Sequence, residues 1–481
     1  MDKVIKRFEL LYQTIQYKMR YLLYFIFFFV SIALVCCTKN RDSGNNIGIS
    51  NDTTIRVSNI RFNDIAALLL PSLTEQLFVT ITPTDATNAK INWKSSDASI
   101  VSVDTSGLIT ALSEGSANII AISAENGSIR DTINVYVRKN YDVYVVGVNH
   151  PANYDRGGDG IFWKNGAASQ LSGAYTATAI TVSNNDVYIA GTTLNQWNWE
   201  VATYWKNGNP VQLSNPNNDY DNRATSIAVN NDSVYVAGWD FQELGCPNCY
   251  YASHAHYWKS FANTITDTLL FGGIAHSTYA NNITLSNGNV YVAGTQQNDN
   301  YYSIAKYWIN NFDQNIEFTS GSWAQSNAVV VNGNDTYVLG GDGCADYGCI
   351  NTPKLWKNNS SNVVALNDGT KNATALCLGF SGSIAYAGGY EFNEYGKRVA
   401  TCWIIDGNSV TPLSLTDGTN DSMIKALAIV GDDIFLAGYE TDNSTGNEVA
   451  KYWRVYKGAV LPVTLQLGYG QDTEASGIFV Q

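Results

Sequence analysis

The chain has little charge, little proline and almost no methionine. Of 481 residues only 15% are charged, nine are proline and three are methionine, and the formal net charge is −13. A chain this acidic lacks the electrostatic footprint that binds nucleic acid. Anionic lipid head groups would repel it as well. We therefore expect no nucleic-acid partner, and membrane attachment only by means other than charge.

The abundant residues point to β structure. The chain has 30 tyrosines, 40 glycines and 12 tryptophans. Aromatic residues favour strands, and glycine favours the tight turns between them. The length allows two or three domains and a large buried core.

One long apolar run lies near the N-terminus. Lys18 and Arg20 precede fifteen apolar residues at 21–35, YLLYFIFFFVSIALV. A bilayer span takes about 20 residues, but fifteen fit the apolar region of a secretion signal. A plain signal peptide and a membrane anchor stay open as alternatives, and Met19 is an alternative start to Met1.

The run ends in a motif, Leu34-Val35-Cys36-Cys37, that resembles the lipobox of bacterial lipoproteins. The resemblance implies a signal peptide at 1–37 and acylation at Cys37. Cys36 is the alternative, although Val35 would then hold the small-residue position. No aspartate follows Cys37 directly, which in this family argues against the inner membrane. We expect a lipid-anchored protein of the outer membrane or cell surface, with residues 38–54 as a flexible tether.

Residues 55–139 read as a first folded module of short alternating strands and polar turns. The stretch at 91–123, INWKSSDASIVSVDTSGLITALSEGSANIIAIS, resembles the group 2 bacterial Ig-like domain. The resemblance implies a β-sandwich in which Trp93 fills the core and Gly107 and Gly115 allow turn geometry. The module has no cysteine, so an inter-sheet disulfide is excluded. A spacer role and a direct binding role both stay open.

Residues 141–481 repeat one unit seven times. A strand that ends in glycine recurs as VYVVG (143–147), VYIAG (187–191), VYVAG (234–238 and 290–294), TYVLG (336–340), IAYAG (384–388) and IFLAG (434–438). A later strand in each unit ends in a tryptophan, spaced 42 to 53 residues from the next: Trp163, Trp205, Trp258, Trp308, Trp356, Trp403 and Trp453. We interpret these seven tryptophans as wedges between packed units.

A further strand opens every unit except the first, for example ATAITVS (177–183) and ATSIAVN (224–230). The missing copy stands at the far end of the chain as ASGIFVQ (475–481). Four strands per unit and a displaced last strand predict a seven-bladed β-propeller that the C-terminal strand closes. The fold class is therefore all-β, an Ig-like sandwich followed by a propeller.

The repeat resembles kelch repeats, in which a tyrosine-containing strand ends in Gly-Gly and Tyr and Trp follow. Only Gly340-Gly341 and Gly388-Gly389 keep the glycine doublet, and Tyr and Trp are adjacent here. The resemblance implies the propeller fold, and the partners of kelch proteins do not transfer with it.

Long irregular loops lie on one face of such a propeller, and we expect function there. Four tryptophans that neither the repeat nor the Ig-like module requires fall in or beside these loops, together with many tyrosines. Exposed aromatic rings suit stacking on sugars or filling a protein interface, and packing between loops is the alternative. The candidate ligand-binding residues are Trp197, Trp199, Trp239, Trp323, Tyr250 and Tyr251.

Carboxylates on the same loops are candidates for glycoside hydrolysis or calcium binding. They are Asp155, Asp159, Asp240, Glu243, Asp342, Asp346, Glu391, Glu394 and Glu440. No spacing matches a calcium loop, and no nucleophile motif, phosphate loop or propeller-enzyme signature is present. We therefore predict no catalytic residue, no metal and no cofactor.

The cysteines form two close pairs in loops and one pair in strands. For Cys246 and Cys249, and for Cys344 and Cys349, we predict a disulfide within each loop, because an exported chain is oxidised. Free thiols, or zinc held by Cys246, Cys249, His254 and His256, are the alternatives for the first pair. Cys377 and Cys402 are expected to be buried free thiols.

Together these features predict a non-enzymatic surface lipoprotein that acts as a binding or adhesion module. Its loop face would contact a glycan or a surface protein. The alternatives are a propeller enzyme acting on polysaccharide and an envelope scaffold with no discrete ligand.

Overall fold

The computed structural model describes residues 54–150, 158–217, 220–243, 251–270, 277–298, 302–315, 322–344, 350–465 and 472–481. These residues form strands, turns and irregular segments. Within them, no helix has the length and apolar character needed to cross a membrane. The predicted signal peptide at 1–37, with Cys37, and the predicted tether up to residue 53 lie outside the described residues.

The first module is a β-sandwich. Its strands are β1 Asn59–Phe62, β2 Ala66–Leu69, β3 Thr74–Gln76, β4 Val79–Thr82, β5 Ile91–Ser95, β6 Val101–Val103, β7 Leu108–Ala111, β8 Gly115–Ser123 and β9 Arg130–Val137. One sheet has the order β2-β9-β8-β5 and another the order β3-β7-β6, while β1 pairs with β4. Alternate residues of β8 and β9 point into a fully buried core that includes Ile119, Ile133 and Val135.

Gly107 shows why the Ig-like motif needs its glycine and its tryptophan together. Its φ of +90° favours glycine, and a Cβ atom there would lie 2.6 Å from the ring of Trp93. Trp93 is half-buried and packs against the core beside Phe62, with ring centroids 5.9 Å apart. The ring therefore covers the glycine turn at the edge of the sandwich.

The rest of the described chain is a propeller of seven four-stranded antiparallel sheets. Blade one contains β10 Val143–His150, β11 Asp159–Lys164 and β12 Ala167–Gln170; blade two contains β13 Ala174–Ser183, β14 Asp186–Leu194, β15 Glu200–Lys206 and β16 Asn209–Gln212. Blade three contains β17 Asn222–Asn230, β18 Ser233–Glu243, β19 Tyr251–Phe261 and β20 Thr264–Leu269; blade four contains β21 Thr278–Ser286, β22 Asn289–Gln297, β23 Ser303–Ile309 and β24 Phe312–Asn315. Blade five contains β25 Ser322–Asn332, β26 Asp335–Cys344, β27 Thr352–Lys357 and β28 Asn359–Ala365.

Two further blades complete the set. Blade six contains β29 Ala373–Ser381, β30 Ile384–Phe392, β31 Arg398–Asp406 and β32 Ser409–Ser414; blade seven contains β33 Ser422–Val430, β34 Asp433–Thr441, β35 Glu448–Tyr456 and β36 Ala459–Thr464. The last strand, β37 Asp472–Val480, pairs with β10 and is the innermost strand of blade one.

Each repeat tryptophan is buried, and each packs against the preceding blade. Trp205 of blade two lies in one apolar cluster with Tyr144 and Val146 of blade one. Trp163 of blade one lies with Phe435 and Ala437 of blade seven in the same way. The interpretation of the tryptophans as wedges between blades is confirmed, and blade seven is the neighbour of blade one.

The repeat glycine marks a close approach between the first two strands of every blade. A Cβ atom on Gly438 would lie 1.8 Å from the carbonyl oxygen of Met423, and on Gly389 it would lie 1.9 Å from that of Thr374. The equivalent of Gly438 in blade six is therefore Gly389. The sequence alignment that placed Gly388 there is shifted by one residue, because the doublet offered two glycines and the pattern alone did not choose between them.

The Ig-like module contacts blade seven. Asp433, whose side chain is fully buried, accepts hydrogen bonds from Arg138 Nη2 at 2.8 Å and from Arg454 Nε at 2.9 Å. Beside this pair, Leu68 and Tyr136 of the sandwich pack with Tyr456 and Ala459 of the propeller. The contact lies where β34 begins, at the end of the strand opposite the loops that precede β35.

Candidate active site

Three side chains meet at the junctions between neighbouring blades, on the face that carries the longer loops. The first follows the repeat glycine, the second lies five residues before the repeat tryptophan, and the third lies on the first strand of the next blade. Between blades two and three they are Thr192, Glu200 and Arg223. Glu200 accepts a hydrogen bond from Thr192 Oγ1 at 3.1 Å and pairs with Arg223 Nη2 at 2.5 Å. A buried carboxylate is thus neutralised by a cation.

Between blades seven and one, the same three positions hold Tyr439, Glu448 and Glu474. Tyr439 follows Gly438, Glu448 precedes Trp453 by five residues, and the Glu474 carbonyl faces Gly147 as the Arg223 carbonyl faces Gly238. The Tyr439 hydroxyl lowers the pKa of Glu448, and Glu448 in turn raises the pKa of Tyr439. Here a second carboxylate takes the place of the cation. We call Tyr439, Glu448 and Glu474 the acid centre.

The backbone holds Glu448 at this junction. Its amide donates to Asp472 Oδ1 at 2.8 Å, just as the Glu200 amide donates to Asp221 and the Arg398 amide donates to Asp421, both at 2.9 Å. The start of the third strand is therefore tied to the next blade by a feature of the repeat. This hydrogen bond fixes the backbone at the start of the third strand, while the side chain at that position differs from blade to blade.

Cations surround the acid centre on its other sides. Lys425 Nζ binds Glu474 Oε2, and His150 Nε2 lies 3.8 Å from Glu474 Oε1. Lys425 Nζ and the Arg398 guanidinium lie 5.9 and 5.8 Å from the centroid of the Tyr439 ring. His150 and Lys425 act on Glu474, whereas Arg398 acts on Glu448, so the two carboxyl groups have different environments.

The two carboxyl groups differ in pKa as a result. Burial raises the pKa of Glu448, and repulsion from Glu474 raises it further, against smaller effects of Tyr439, Lys425 and Arg398. Burial alone would also raise the pKa of Glu474, but His150 and Lys425 outweigh burial and lower it to about 2. One group is thus held ionised, and the other is inclined to keep its proton.

The acid centre is reachable from solvent. The side chains of Glu474, Lys425 and His150 are 17%, 27% and 33% exposed. Lys425 also lines a central cavity of about 270 Å³, to which the first strands of all seven blades contribute. The Glu474 carboxylate is therefore accessible from the loop face although it lies in a mostly buried setting.

The carboxylates predicted from the loops have other roles where the structure describes their side chains. Asp342 pairs with Lys354 at 2.5 Å, Glu391 with Lys371 at 3.1 Å, and Glu440 with Lys451. Asp159 begins β11, opposite Asn149. Asp155, Asp346 and the side chain of Glu243 lie outside the described residues.

Asp240 belongs to a buried polar cluster in blade three. His256 lies 3.3 Å from Asp240 Oδ1 and 2.7 Å from Asp267 Oδ1, and His254 lies 3.4 Å from Asp240. Burial lowers the pKa of His256, but the two aspartates outweigh burial and raise it to about 9. Among the described residues, no group of three or more His, Cys, Asp or Glu side chains is arranged to hold a metal.

The predicted ligand-binding tryptophans lie in separate groups. Trp197 and Trp199 are 48% and 37% exposed in the loop before β15, and Trp199 lies against Tyr220. Trp239 is packed between the Arg223 guanidinium, at 5.1 Å, and the edge of Tyr279. Trp323 is 44% exposed and contacts Tyr302.

Other predicted site residues fall outside the described part of the chain. They are Tyr250, Cys246, Cys249 and Cys349, together with the side chains of Tyr251 and Cys344. Cys377 and Cys402 are buried and free, as expected. Burial raises the pKa of both thiols, that of Cys402 to about 12.

Sequence reasoning missed Glu200, Glu448 and Glu474 because it searched the loops, whereas these residues lie at the ends of strands. The sequence did contain a signal for Glu448. Glu448 stands five residues before the repeat tryptophan, where blade two has Glu200, blade six has Arg398 and the other four units have small or amide side chains such as Gly158, Ser253 and Asn351. An acid at a repeat position that does not require one is a departure that alignment of the seven units reveals.

The fold and the site define an Ig-like sandwich joined to a seven-bladed propeller with an acid centre at one blade junction. Residues 56–133 match the bacterial Ig-like domain (group 2) family. An alpha-L-arabinofuranosidase from Bifidobacterium longum subsp. longum is 26% identical over 173 residues, which are 36% of this chain and 14% of that enzyme. The chain thus corresponds to about a seventh of the length of this curated relative.

Solved structures with a similar fold include an ulvan lyase, described as a polysaccharide lyase, and the β-propeller domain of a trilobed protease from Pyrococcus furiosus. The lyase has 10% identity and a TM-score of 0.44, over 73% of this chain and 92% of its own. The protease domain has 10% identity and a TM-score of 0.37, over 69% of this chain and 94% of its own.

These comparisons correct the functional prediction. The expectation of a non-enzymatic binding or adhesion module is wrong, since the curated relative with a named activity is a glycosidase. The expectation of no catalytic residue rested on the loops alone and did not consider the carboxylates at the ends of the strands.

Proposed function

We propose that the propeller is an enzyme that cleaves glycosidic bonds in a polysaccharide, with the acid centre as its catalytic site. The observation that carries this proposal is the replacement of a Glu–Arg pair by a Glu–Glu pair at an otherwise equivalent blade junction. Two like charges that face each other destabilise the folded state, so we infer that this pair has a function other than stability. The similarity to an alpha-L-arabinofuranosidase supports glycan as the substrate class.

In this proposal the two carboxyl groups divide the work of hydrolysis. Glu448, whose pKa is raised, donates a proton to the departing glycosidic oxygen. Glu474 stays ionised and acts on the opposite side of the sugar, as a base toward water or as a nucleophile. Tyr439 orients the Glu448 carboxyl through its hydroxyl group.

The proposal is tested by incubating the purified chain with a panel of arabinose-, xylose- and uronate-containing polysaccharides and measuring the release of reducing ends. Glu448→Gln and Glu474→Gln should each lower the rate about 100- to 10,000-fold. Glu440→Gln is the matched control, because it removes a carboxylate of the same blade that only pairs with Lys451. Equal rates of cleavage in all three variants would show that the acid centre is not the catalytic site.

The exposed aromatic loops are proposed to hold the polymer on either side of the acid centre. Asn195 Oδ1 accepts hydrogen bonds from the amides of Trp197 and Trp199, both at 2.9 Å, and Asn393 Oδ1 accepts those of Tyr395 and Lys397, both at 3.0 Å. The asparagines therefore set the loop shape, and the rings of Trp197, Trp199 and Tyr395 are exposed in part or in large part. These loops belong to blades two and six, the blades that flank blades one and seven.

Replacing Trp197 and Trp199 by alanine should raise KM for a polysaccharide roughly tenfold, since ring stacking contributes about 0.5–1.5 kcal/mol per aromatic pair. The rate on a short chromogenic glycoside should not change. Phe312→Ala is the control, because Phe312 is 69% exposed in β24, away from these loops. An equal loss on both substrates would show that the rings serve the fold instead.

We also propose that the chain is lipid-anchored through Cys37 and exported to the outer membrane. The apolar run that ends at a cysteine pair supports this proposal. Mass spectrometry of the mature N-terminus should find a diacylated or triacylated cysteine. An unmodified N-terminus, or one that still carries residues 25–29, would contradict it.

Two finer features complete the proposal. The repeat units are proposed to be of the kelch type, on the strength of their tyrosine, glycine and tryptophan pattern.

Loop disulfides Cys246–Cys249 and Cys344–Cys349 are proposed from their spacing and from export. Peptide mapping without reduction should recover both cross-linked loops, and alkylation of all four thiols would contradict them.

A further inference from the structure

A set of hydrogen bonds joins neighbouring blades around the central cavity. Each first strand has a β-bulge opposite the repeat glycine, and the extra residue at the bulge is Thr178, Thr225, Asn281, Asn327, Leu376, Lys425 or Ser476. Thr178 Oγ1 donates to the Ala224 carbonyl at 2.9 Å, and Thr225 Oγ1 to the Ala280 carbonyl at 2.8 Å.

The same bond recurs with other polar residues. Asn281 donates to Ser326 O at 2.9 Å, and Asn327 to Ala375 O at 2.8 Å. Ser476 donates to Ala177 O at 2.5 Å and so ties blade one to blade two. Five of the seven bulge residues therefore have a short polar side chain whose role is to bind the next blade.

Lys425 departs from this pattern at the junction that holds the acid centre. Its Nζ binds the Glu474 side-chain carboxylate of the next blade and lies over the Tyr439 ring, whereas the short polar bulge residues donate to a backbone carbonyl of the next blade. Lys425 is partly exposed and lines the central cavity. A long cation thus replaces a short hydroxyl or amide where the carboxylate of the next blade needs a counter-charge.

We propose that Lys425 is a positioning residue. In place of the repeat's hydrogen bond to a backbone carbonyl of the next blade, it holds Glu474 ionised and oriented for catalysis. This inference rests on the proposed function. The groups that face Glu474 are Lys425 on β33, His150 on β10, Tyr439 on β34 and Glu448 on β35, and Lys425 makes the direct bond.

The repeat supplies the variant that tests this role. Lys425→Thr introduces the residue of blades two and three, whose hydroxyl reaches the next carbonyl. We expect the melting temperature to stay the same or rise. The pKa of Glu474, followed by carboxyl-carbon NMR titration of the full chain, should rise by more than one unit from about 2. The acidic limb of the pH–rate profile should move upward by the same amount.

Lys425→Arg should restore the acidic limb, because a guanidinium keeps the charge. Lys451→Thr is the matched control, since it breaks an equivalent lysine–glutamate pair outside the acid centre. An unshifted Glu474 titration in Lys425→Thr would overturn the inference, and so would a loss of activity that only follows a lower melting temperature. If no glycan is cleaved by the wild type, the proposed function fails, while the NMR titration still decides the role of Lys425.

Discussion

At the scale of single residues, the acid centre is recognised by contrast within one chain. Thr192, Glu200 and Arg223 show the three positions with a buried carboxylate paired to a cation. Tyr439, Glu448 and Glu474 keep the same backbone and change the charge. The internal repeat therefore acts as a control that a chain without repeats would not offer.

His256 carries a prediction for stability against pH. Its pKa of about 9 lies above the ordinary value of 6.5, so the folded chain holds a proton that the unfolded chain releases. The stabilisation is complete below pH 6.5 and is lost as the pH rises through 9. We expect the melting temperature to fall over this range, by the equivalent of roughly 3 kcal/mol.

His256→Gln removes the titrating group while keeping side-chain hydrogen-bonding capacity. Its melting temperature should change little between pH 6.5 and 9 when followed by circular dichroism. A variant that loses stability with pH as steeply as the wild type would show that another group titrates.

The residue scale also shows where sequence reasoning stopped. The seven tryptophans were assigned correctly because a large apolar residue at one repeat position has a single structural explanation. Glu448 and Glu474 were not found, because their meaning depends on which strands of different blades lie side by side. The two residues are 26 positions apart, and only the ring brings them to one junction.

At the scale of elements, the sequence predicted the strands, but it predicted only in part which strands lie next to each other. Alternation and turn residues identified the strands of each blade. Gly388 and Gly389 could not be distinguished by pattern, since the choice depends on the close carbonyl of Thr374. A backbone carbonyl that lies this close restricts the position to glycine, but it does not change the hydrophobic periodicity of the strand.

The strand β37 carries the element-scale prediction. It pairs with β10 from Val143–Val480 to His150–Asp472, and it places Glu474 beside Glu448. Deleting residues 475–481 should expose the edge of β10, lower the melting temperature and promote aggregation. Thermal unfolding and light scattering measure both effects, and a truncated chain as stable and soluble as the wild type would contradict the role assigned to β37.

At the scale of the whole molecule, the Ig-like module and the propeller share a buried ionic contact. Asp433 is bound by Arg138 of the segment after β9 and by Arg454 of blade seven, while Tyr141 Oη lies 3.3 Å away. Removing one partner of a buried pair costs about 3–5 kcal/mol. Asp433→Ala should therefore lower the melting temperature, because it leaves two guanidinium groups without their carboxylate.

Calorimetry of the chain from residue 54 tests this prediction. The wild type should unfold in one transition, and Asp433→Ala in a transition at lower temperature or in two. Asp432→Ala is the control, since it changes the adjacent exposed carboxylate. Equal melting temperatures for the two variants would show that the contact adds nothing to stability.

A comparison of the double variant Lys425→Thr/Glu474→Arg with the wild type tests the acid centre most directly, because Lys425 would repel an arginine placed alone at position 474. The variant recreates at blades seven and one the Glu–Arg pair found at blades two and three. We predict a melting temperature equal to or above that of the wild type, together with glycan cleavage reduced at least 100-fold. A variant that remains active would show that the facing carboxylates are not the catalytic site.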